Sequence, residues 1–462
     1  SASKYDKPQP VLDRGAWLLA GEWTLRHFQP YMGGSVVMTQ AEVQPEMDMD
    51  TSCGYPWSLK FRNKREFFAD VRASQSVCDY WEMITSAGDQ MVPIWTISQK
   101  VEMRDIEKLK LNKIRTFTAC PVELSVATNR LNLDMNNKFY ASNNKTWSFV
   151  GCSTYFQGWD KLYRRLDVHP NAFELDESEF DSSLFGEAMY GQRDIRWELL
   201  SSEYKTAENK RAMWSIYDSI VHSVCVMENG ELFQKHTGNP SGSSNTIVDN
   251  TMILYRLFAY AWIVLCKERG ELPDYVVFHE NVEAALNGDD NTFTVSNAYL
   301  DKFNPTLISR IWTGIGVTTK TPCWDSRKLY EVSFLSHGFG WDESLGIWMP
   351  VPETEKVLAS LAYNSSVDDV RWHYLRACAL RLTSYGNQEC REVIADYINY
   401  LNREYGDKMY GVINEIDIKH IQGLWRSDAA IEALYCGWES KDEQSRVERL
   451  CSGALKSSLC AA

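Results

Sequence analysis

Val282-Glu283-Ala284-Ala285-Leu286-Asn287-Gly288-Asp289-Asp290-Asn291-Thr292-Phe293-Thr294-Val295 sets two short strand-like runs on either side of a glycine and two adjacent aspartates. Asn and Gly tolerate the positive φ of tight hairpin turns, so the stretch reads as a β-hairpin. Its tip carries Asp289 and Asp290 side by side. Neighbouring like charges repel unless solvent or a cation offsets them. A solvated acidic turn and a cation-binding tip share this pattern, and the stretch alone does not separate them.

Working upstream, Phe173-Glu174-Leu175-Asp176-Glu177-Ser178-Glu179-Phe180-Asp181 ends a short apolar run on one aspartate and places another five residues on. A strand-end carboxylate can converge with a hairpin tip to bind hard cations through oxygen, and two such ions suit phosphoryl transfer. The competing reading is a helix start, where Asp and Ser serve as caps. Between the acidic pieces lies Gly238-Asn239-Pro240-Ser241-Gly242-Ser243-Ser244-Asn245-Thr246-Ile247-Val248-Asp249-Asn250. A small-residue loop lets backbone approach a ligand closely, and the helical pattern after it puts Thr246 and Asn250 on one face. Hydroxyl and amide groups near Asp181 suit a ribose 2′-OH, which both donates and accepts. A capped helix after a flexible turn is the plainer alternative.

In this order the three pieces resemble motifs A, B and C of the RNA-dependent RNA polymerases of positive-strand RNA viruses. Asp176-x4-Asp181 matches motif A, Ser241-Gly242-x3-Thr246-x3-Asn250 motif B, and Gly288-Asp289-Asp290 motif C. Thr51-Ser52-Cys53-Gly54-Tyr55-Pro56 looks like motif G, which guides the template, with Thr51, Ser52 and Gly54 as contacts. The basic stretch Lys100 to Arg115 looks like motif F, so Arg115 and Lys113, then Lys100, are the expected triphosphate contacts. Gly316-Val317-Thr318-Thr319-Lys320 resembles the end of motif D, making Lys320 the candidate proton donor to pyrophosphate, with Lys328 a rival. Phe334-Leu335-Ser336 resembles motif E, which grips the primer.

The resemblance covers roughly residues 50 to 340 and fits the picornavirus-like supergroup best. Phe-Asp-Ser-Ser, Val-Asp-Asn-Thr and Phe-Leu-Ser-His look potyvirus-like, whereas Gly-Asn-Pro-Ser-Gly also looks astrovirus-like. Asn287 stands where Tyr is commoner, a change that leaves the carboxylates intact. The resemblance implies an α+β right-hand polymerase: fingers, a palm of antiparallel sheet on helices, and a helical thumb, closed by fingertips. Its expected parts are fingers and fingertips over 1–170, palm with motif A over 171–190, a fingers insertion over 191–237, palm with motifs B to E over 238–340, and thumb over 341–462.

It also implies template-directed nucleotidyl transfer from NTPs to an RNA 3′-hydroxyl, replicating and transcribing a positive-strand genome. Two Mg²⁺ (or Mn²⁺) ions would be held by Asp176 and Asp289, with Asp290 a weaker or outer ligand. Asp181, Ser241, Thr246 and Asn250 would sense the ribose. Expected partners are RNA template and product, NTPs, a genome-linked protein primer and other viral replication proteins, at membrane-associated complexes in the host cytoplasm. A reverse transcriptase would share the palm, but Asp181 with Asn250 speaks against it. A catalytically dead scaffold would be favoured by loss of a metal carboxylate, and all three are present. An acidic cation-binding structural protein leaves the basic motifs unexplained.

Composition narrows the field less. The 462 residues allow two to four domains, and the net charge of −14 argues against a uniformly basic nucleic-acid coat. A local channel stays open, since the field in a cleft depends on nearby charges. Clusters exist at Lys60, Arg62, Lys64 and Arg65, and from Lys100 through Arg104, Lys108 and Lys110 to Arg115. Twelve cysteines without a C-x-x-C pair point to free thiols, not zinc or a disulfide framework. No apolar run approaches the roughly twenty residues needed to cross a membrane, and no signal peptide is expected at the start of the sequence. The start at Ser1 without Met fits release from a longer precursor or a trimmed chain.

Overall fold

The computed structural model describes residues 7–87, 91–100, 102, 106–110, 115–363, 369–409 and 428–437. Lys113 and Arg104 lie outside these. The chain divides into two compact units, one of Ser1–Gly151 with Leu175–Trp324, the other of Cys152–Glu174 with Asp325–Ala462.

In the first unit, the helices Arg14–Met32 and Val122–Ala141 run for 19 and 20 residues. The first buries Ala16, Trp17, Ala20, Trp23, Phe28 and Met32, a helical spacing of large apolar groups. Asp13 caps it by accepting from the Ala16 N–H at 3.0 Å. Gly33 ends it, its N–H donating to Gln29 O at 2.9 Å.

The centre of this unit is the 23-residue helix Thr246–Glu268, buried from Val248 through Ile263. It is long and apolar enough to cross a membrane by length and composition, which corrects the sequence expectation that no run would be. Its apolar window is 89% buried inside the protein, so the same residues serve as core. A helix apolar all round is what a central position requires.

Two four-stranded sheets flank these helices. One has the order β2 (Thr116–Ala119), β1 (Ile94–Gln99), β4 (Val224–Met227), β5 (Leu232–Gln234), with β1 antiparallel to β2 and parallel to β4. The other has the order β6 (Val282–Asn287), β7 (Asp290–Val295), β3 (Asn171–Glu177), β8 (Thr319–Lys320). Strands β6 and β7 pair antiparallel from Val282↔Val295 to Asn287↔Asp290, the hairpin read from the sequence. The outer edge of β6 is covered. Leu286 N–H donates to Trp147 O, and Phe149 N–H to Leu286 O, both at 2.8 Å.

The second unit carries the antiparallel hairpin β9 (His337–Asp342) and β10 (Ile347–Pro352), then helices Thr354–Ala362, Val370–Thr383, Gln388–Met409 and Asp428–Cys436. Tyr155, Met349, Tyr374, Tyr385, Ile394 and Leu434 are among its core. At the motif E segment, Phe334 and His337 exchange N–H···O bonds of 2.9 Å, with Leu335 and Ser336 at φ 51° and 60° between them. Positive φ at both central residues is the requirement of a type I′ turn, met here without Gly or Asn.

Candidate active site

The β6–β7 turn is two residues, Gly288 and Asp289, and positive φ falls on Gly288 alone, at 68°. That is the pattern of a II′ turn, which needs glycine first. Gly288 N–H donates to Thr251 Oγ1 at 2.8 Å, so the central helix holds the hairpin tip. Asp289 is thereby presented at the surface while protein packs around most of its carboxyl. Burial, then the charges of Asp181 and Asp176, pushes its pKa above the usual carboxylate range, and Arg115 opposes the rise. Asp176 and Asp181, near neighbours in sequence, thus share one field with the remote Asp289. Their mutual repulsion is what a bound cation would relieve.

Asp176 lies on β3, where Cα pairing sets it opposite Lys320 and sets Glu177 opposite Thr319. Directly opposed residues of an antiparallel pair project to the same face. The Asp176–Lys320 pair is exposed, and the Glu177–Thr319 pair is buried. Lys328 belongs to the other unit.

Glu177 is a participant the motif reading passes over. Burial, then Asp289, raises its pKa well above the ordinary value, which favours the neutral acid beneath the exposed carboxylates. Asn291 Nδ2 donates to Glu177 Oε1 at 3.0 Å and to Leu175 O at 3.1 Å, tying the strand after the turn to β3. Strand alternation held a signal: Phe173, Leu175 and Glu177 share a face.

Asp181 falls in the short helix Phe180–Ser183, whose N-cap residue Glu179 makes no side-chain cap bond. It does not act as the cap that the plainer reading supposed. Asn250 Nδ2 donates to Asp181 Oδ1 at 2.6 Å, and Asn239 Nδ2 donates to Asn250 Oδ1 at 2.9 Å. Thr246, one turn before Asn250, gives its hydroxyl to Pro240 O at 2.7 Å and Ser243 O at 2.9 Å, so it braces its own loop. Ser241 Oγ accepts from Thr118 N–H at 3.1 Å, and Gly242 N–H donates to Thr118 Oγ1 at 3.1 Å. A Cβ on Gly242 would stand 2.1 Å from Thr118 O, so only glycine permits this approach of loop to β2.

Lys235, also absent from the motif reading, is buried, and its Nζ donates to Gly238 O at 2.7 Å and Thr237 O at 3.3 Å. Burial pushes its pKa down to about 7 from the ordinary 10.5. Between those values the unfolded chain holds a proton that the folded chain releases, so this residue makes the fold more stable as pH rises. The expected result is that the unfolding free energy of wild type gains on that of Lys235→Met between about pH 7 and about pH 9.5. Urea melts at the two pH values check it; a constant difference would show that the amine is not held in this way.

Lys100 N–H donates to Arg115 O at 2.9 Å at the open end of the β1–β2 pair. Both cations approach Glu102, at 3.4 and 3.6 Å. Arg115 therefore stands between Glu102 and the field of Asp289. In the motif G segment, Thr51 and Ser52 are exposed, Ser52 Oγ accepts from Gly54 N–H at 3.1 Å, and Cys53 O accepts from Val122 N–H at 3.0 Å.

The family model described as viral RNA-dependent RNA polymerase matches residues 2–402. Genome polyprotein 1 of Barley mild mosaic virus is 27% identical over 398 residues, covering 84% of this chain and 16% of the polyprotein. The genome polyprotein of Bean yellow mosaic virus is 31% identical over 301 residues, 63% of this chain and 9% of the polyprotein. The chain thus spans a small part of these potyvirus-like relatives. The solved Sicinivirus 3Dpol RNA-dependent RNA polymerase superposes with TM-score 0.71 at 17% identity, over 90% of this chain and 87% of that one. The fold is the α+β polymerase fold, and the chain belongs to the viral RNA-dependent RNA polymerases.

Proposed function

We propose that this chain copies a positive-strand RNA genome by template-directed transfer of a nucleotidyl group from an NTP to an RNA 3′-hydroxyl. The observation that carries this reading is the shared field of Asp176, Asp181 and Asp289, with Asn250 bonded to Asp181. The fingers, palm and thumb division expected from the sequence is part of the same proposal.

The site suits hard divalent cations, because its donors are carboxylate oxygens, and burial followed by their repulsion raises the pKa of Asp289. Among the described residues no three His, Cys, Asp or Glu side chains already gather on one point. Asp176 and Asp289, with Asp290 at the margin, would therefore each give few ligands, leaving phosphate and water to complete the shell, as Mg²⁺ favours. When bound, two Mg²⁺ or Mn²⁺ ions supply charge neutralisation at the attacking and leaving oxygens.

The remaining roles fall to the protein. Arg115 and Lys100, with Lys113, receive the triphosphate. Thr51, Ser52 and Gly54 steer the template. Asp181 and Asn250 read the ribose, with Ser241 and Thr246 shaping the loop beside them. Lys320, on the same face as Asp176, gives a proton to the leaving pyrophosphate. The partners are RNA, NTPs, a genome-linked protein primer and other viral replication proteins, at membrane-associated complexes in the host cytoplasm.

Primer extension on an RNA template with Mg²⁺ or Mn²⁺, comparing NTPs with dNTPs, tests the activity. Preferential dNTP use would move the reading to a reverse transcriptase. Loss of a general acid costs about 10²-fold or more in rate. Lys320→Leu is therefore expected to lower kcat by about that factor with little change in KM for NTP, and Lys328→Leu to leave kcat near wild type. The opposite pattern would transfer the role to Lys328.

A further inference from the structure

We infer that Asn239 is a positioning residue for sugar discrimination, acting through Asn250 on Asp181; this rests on the ribose-reading role proposed above. An ionised carboxylate only accepts hydrogen bonds. Asp181 therefore requires the amide nitrogen of Asn250 to face it, as it does at 2.6 Å. That orientation turns Asn250 Oδ1 the other way, where it needs a donor. Asn239 Nδ2 supplies one at 2.9 Å.

Asn239 is itself held on both sides. Its side chain is buried, 1% exposed, which excludes water as an easy substitute for the amide. Its N–H donates to Asp181 O at 2.7 Å, and the neighbouring Gly238 N–H donates to Leu184 O at 2.7 Å. Lys235 Nζ, bonded to Gly238 O, fixes the same backbone from the other side. Among the described residues, Asn239 Oδ1 is buried without a hydrogen-bond partner. The fold tolerates that cost where the nitrogen end has fixed work to do.

The chain Asn239 to Asn250 to Asp181 thus has one polarity. Without the donor at its start, the Asn250 amide is free to rotate, and its oxygen can face Asp181. The carboxylate then loses its charge-assisted partner and its fixed position opposite the sugar. Asn239 touches no substrate in this scheme. Its effect appears in the choice between ribose and deoxyribose, not in phosphoryl transfer as such.

The test is single-nucleotide extension by the full chain, measuring kcat/KM for an NTP and its 2′-deoxy analogue. Asn239→Leu is expected to lower the NTP-to-dNTP ratio about tenfold, with a smaller effect on kcat for NTP. Asn239→Ser, too short to reach Asn250, gives the same result if leucine is not accommodated; thermal melts identify folded variants. Asn250→Ala is the control. Adding Asn239→Leu or Asn239→Ser to Asn250→Ala should change the ratio no further, because the relay is already cut. A merely structural role would depress both substrates in proportion and leave the ratio alone. If Asn250→Ala leaves the ratio at wild type, the ribose-reading role itself falls. If Asn250→Ala lowers it and the folded Asn239 variants do not, the role of Asn239 is overturned while the parent reading stands.

Discussion

Asp289→Ala is expected to abolish template-directed extension while leaving the fold at least as stable as wild type. Metal ligation at the reacting phosphate contributes several kcal/mol of transition-state stabilisation, so the rate should fall about a thousandfold or more. Stability should move the other way. A carboxyl whose folded pKa is raised by burial and by Asp181 and Asp176 costs the fold free energy when ionised. Above that raised pKa the cost is fully present, and the substitution removes it. Primer extension and a thermal melt at neutral pH check the two halves. Extension unaffected by the substitution would sink the catalytic assignment, whereas loss of activity together with loss of fold would make Asp289 a structural residue.

The largest expected effect on stability lies behind the site, at Arg196. Its Nε donates to Asp249 Oδ1 at 2.7 Å, and both side chains are 0% exposed. Tyr217 Oη donates to Asp249 Oδ2 at 2.8 Å, and Arg196 Nη1 donates to Asn136 Oδ1 at 3.0 Å. This network joins the Asn250 helix to helices Gly186–Leu199, Ala207–Val221 and Val122–Ala141. Removing one member of a buried ion pair strands the other charge, at a cost of about 3–5 kcal/mol. Arg196→Ala should lose that much in urea unfolding, a large share of the roughly 5–15 kcal/mol that holds a domain folded. Replacing both partners, Arg196→Met with Asp249→Leu, should recover most of it. A loss under about 1 kcal/mol for the single variant would show that water reaches the pair.

These two outcomes separate what each part of the sequence made legible. The hairpin of Asp289 was readable because a two-residue turn is local: Gly288 supplies the positive φ, and alternating residues on either side set the strands. The helix from Thr246 was readable for the same reason, as a largely apolar helical pattern after a loop of small residues. Motif E was a different case. Leu335 and Ser336 adopt positive φ without being glycine or asparagine, so no local turn signal marked the bend. The long helices before residue 170 were also missed, because charged and aromatic residues interrupt the apolar periodicity that tertiary packing completes.

For the proposed site, residue type and order were enough to single out Asp176, Asp181, Asp289 and Asn250 as candidates. A carboxylate or an amide has limited chemistry, and three ordered motifs constrain it further. Partnership was not legible, because hydrogen-bond pairing depends on distances between segments far apart in the chain. Only the tertiary structure turns Thr246 onto its own loop, gives Ser241 to Thr118, and aligns Asn239 behind Asn250. It alone buries Glu177 beneath Asp289 and seals Lys235 under the loop, where desolvation changes the proton affinity of ordinary side chains. The sequence by itself determined which groups are candidates for the chemistry, since that is a property of residue type and local spacing. The tertiary structure decided which of them act together and with what charge, since that depends on burial and on neighbours brought in from elsewhere in the chain.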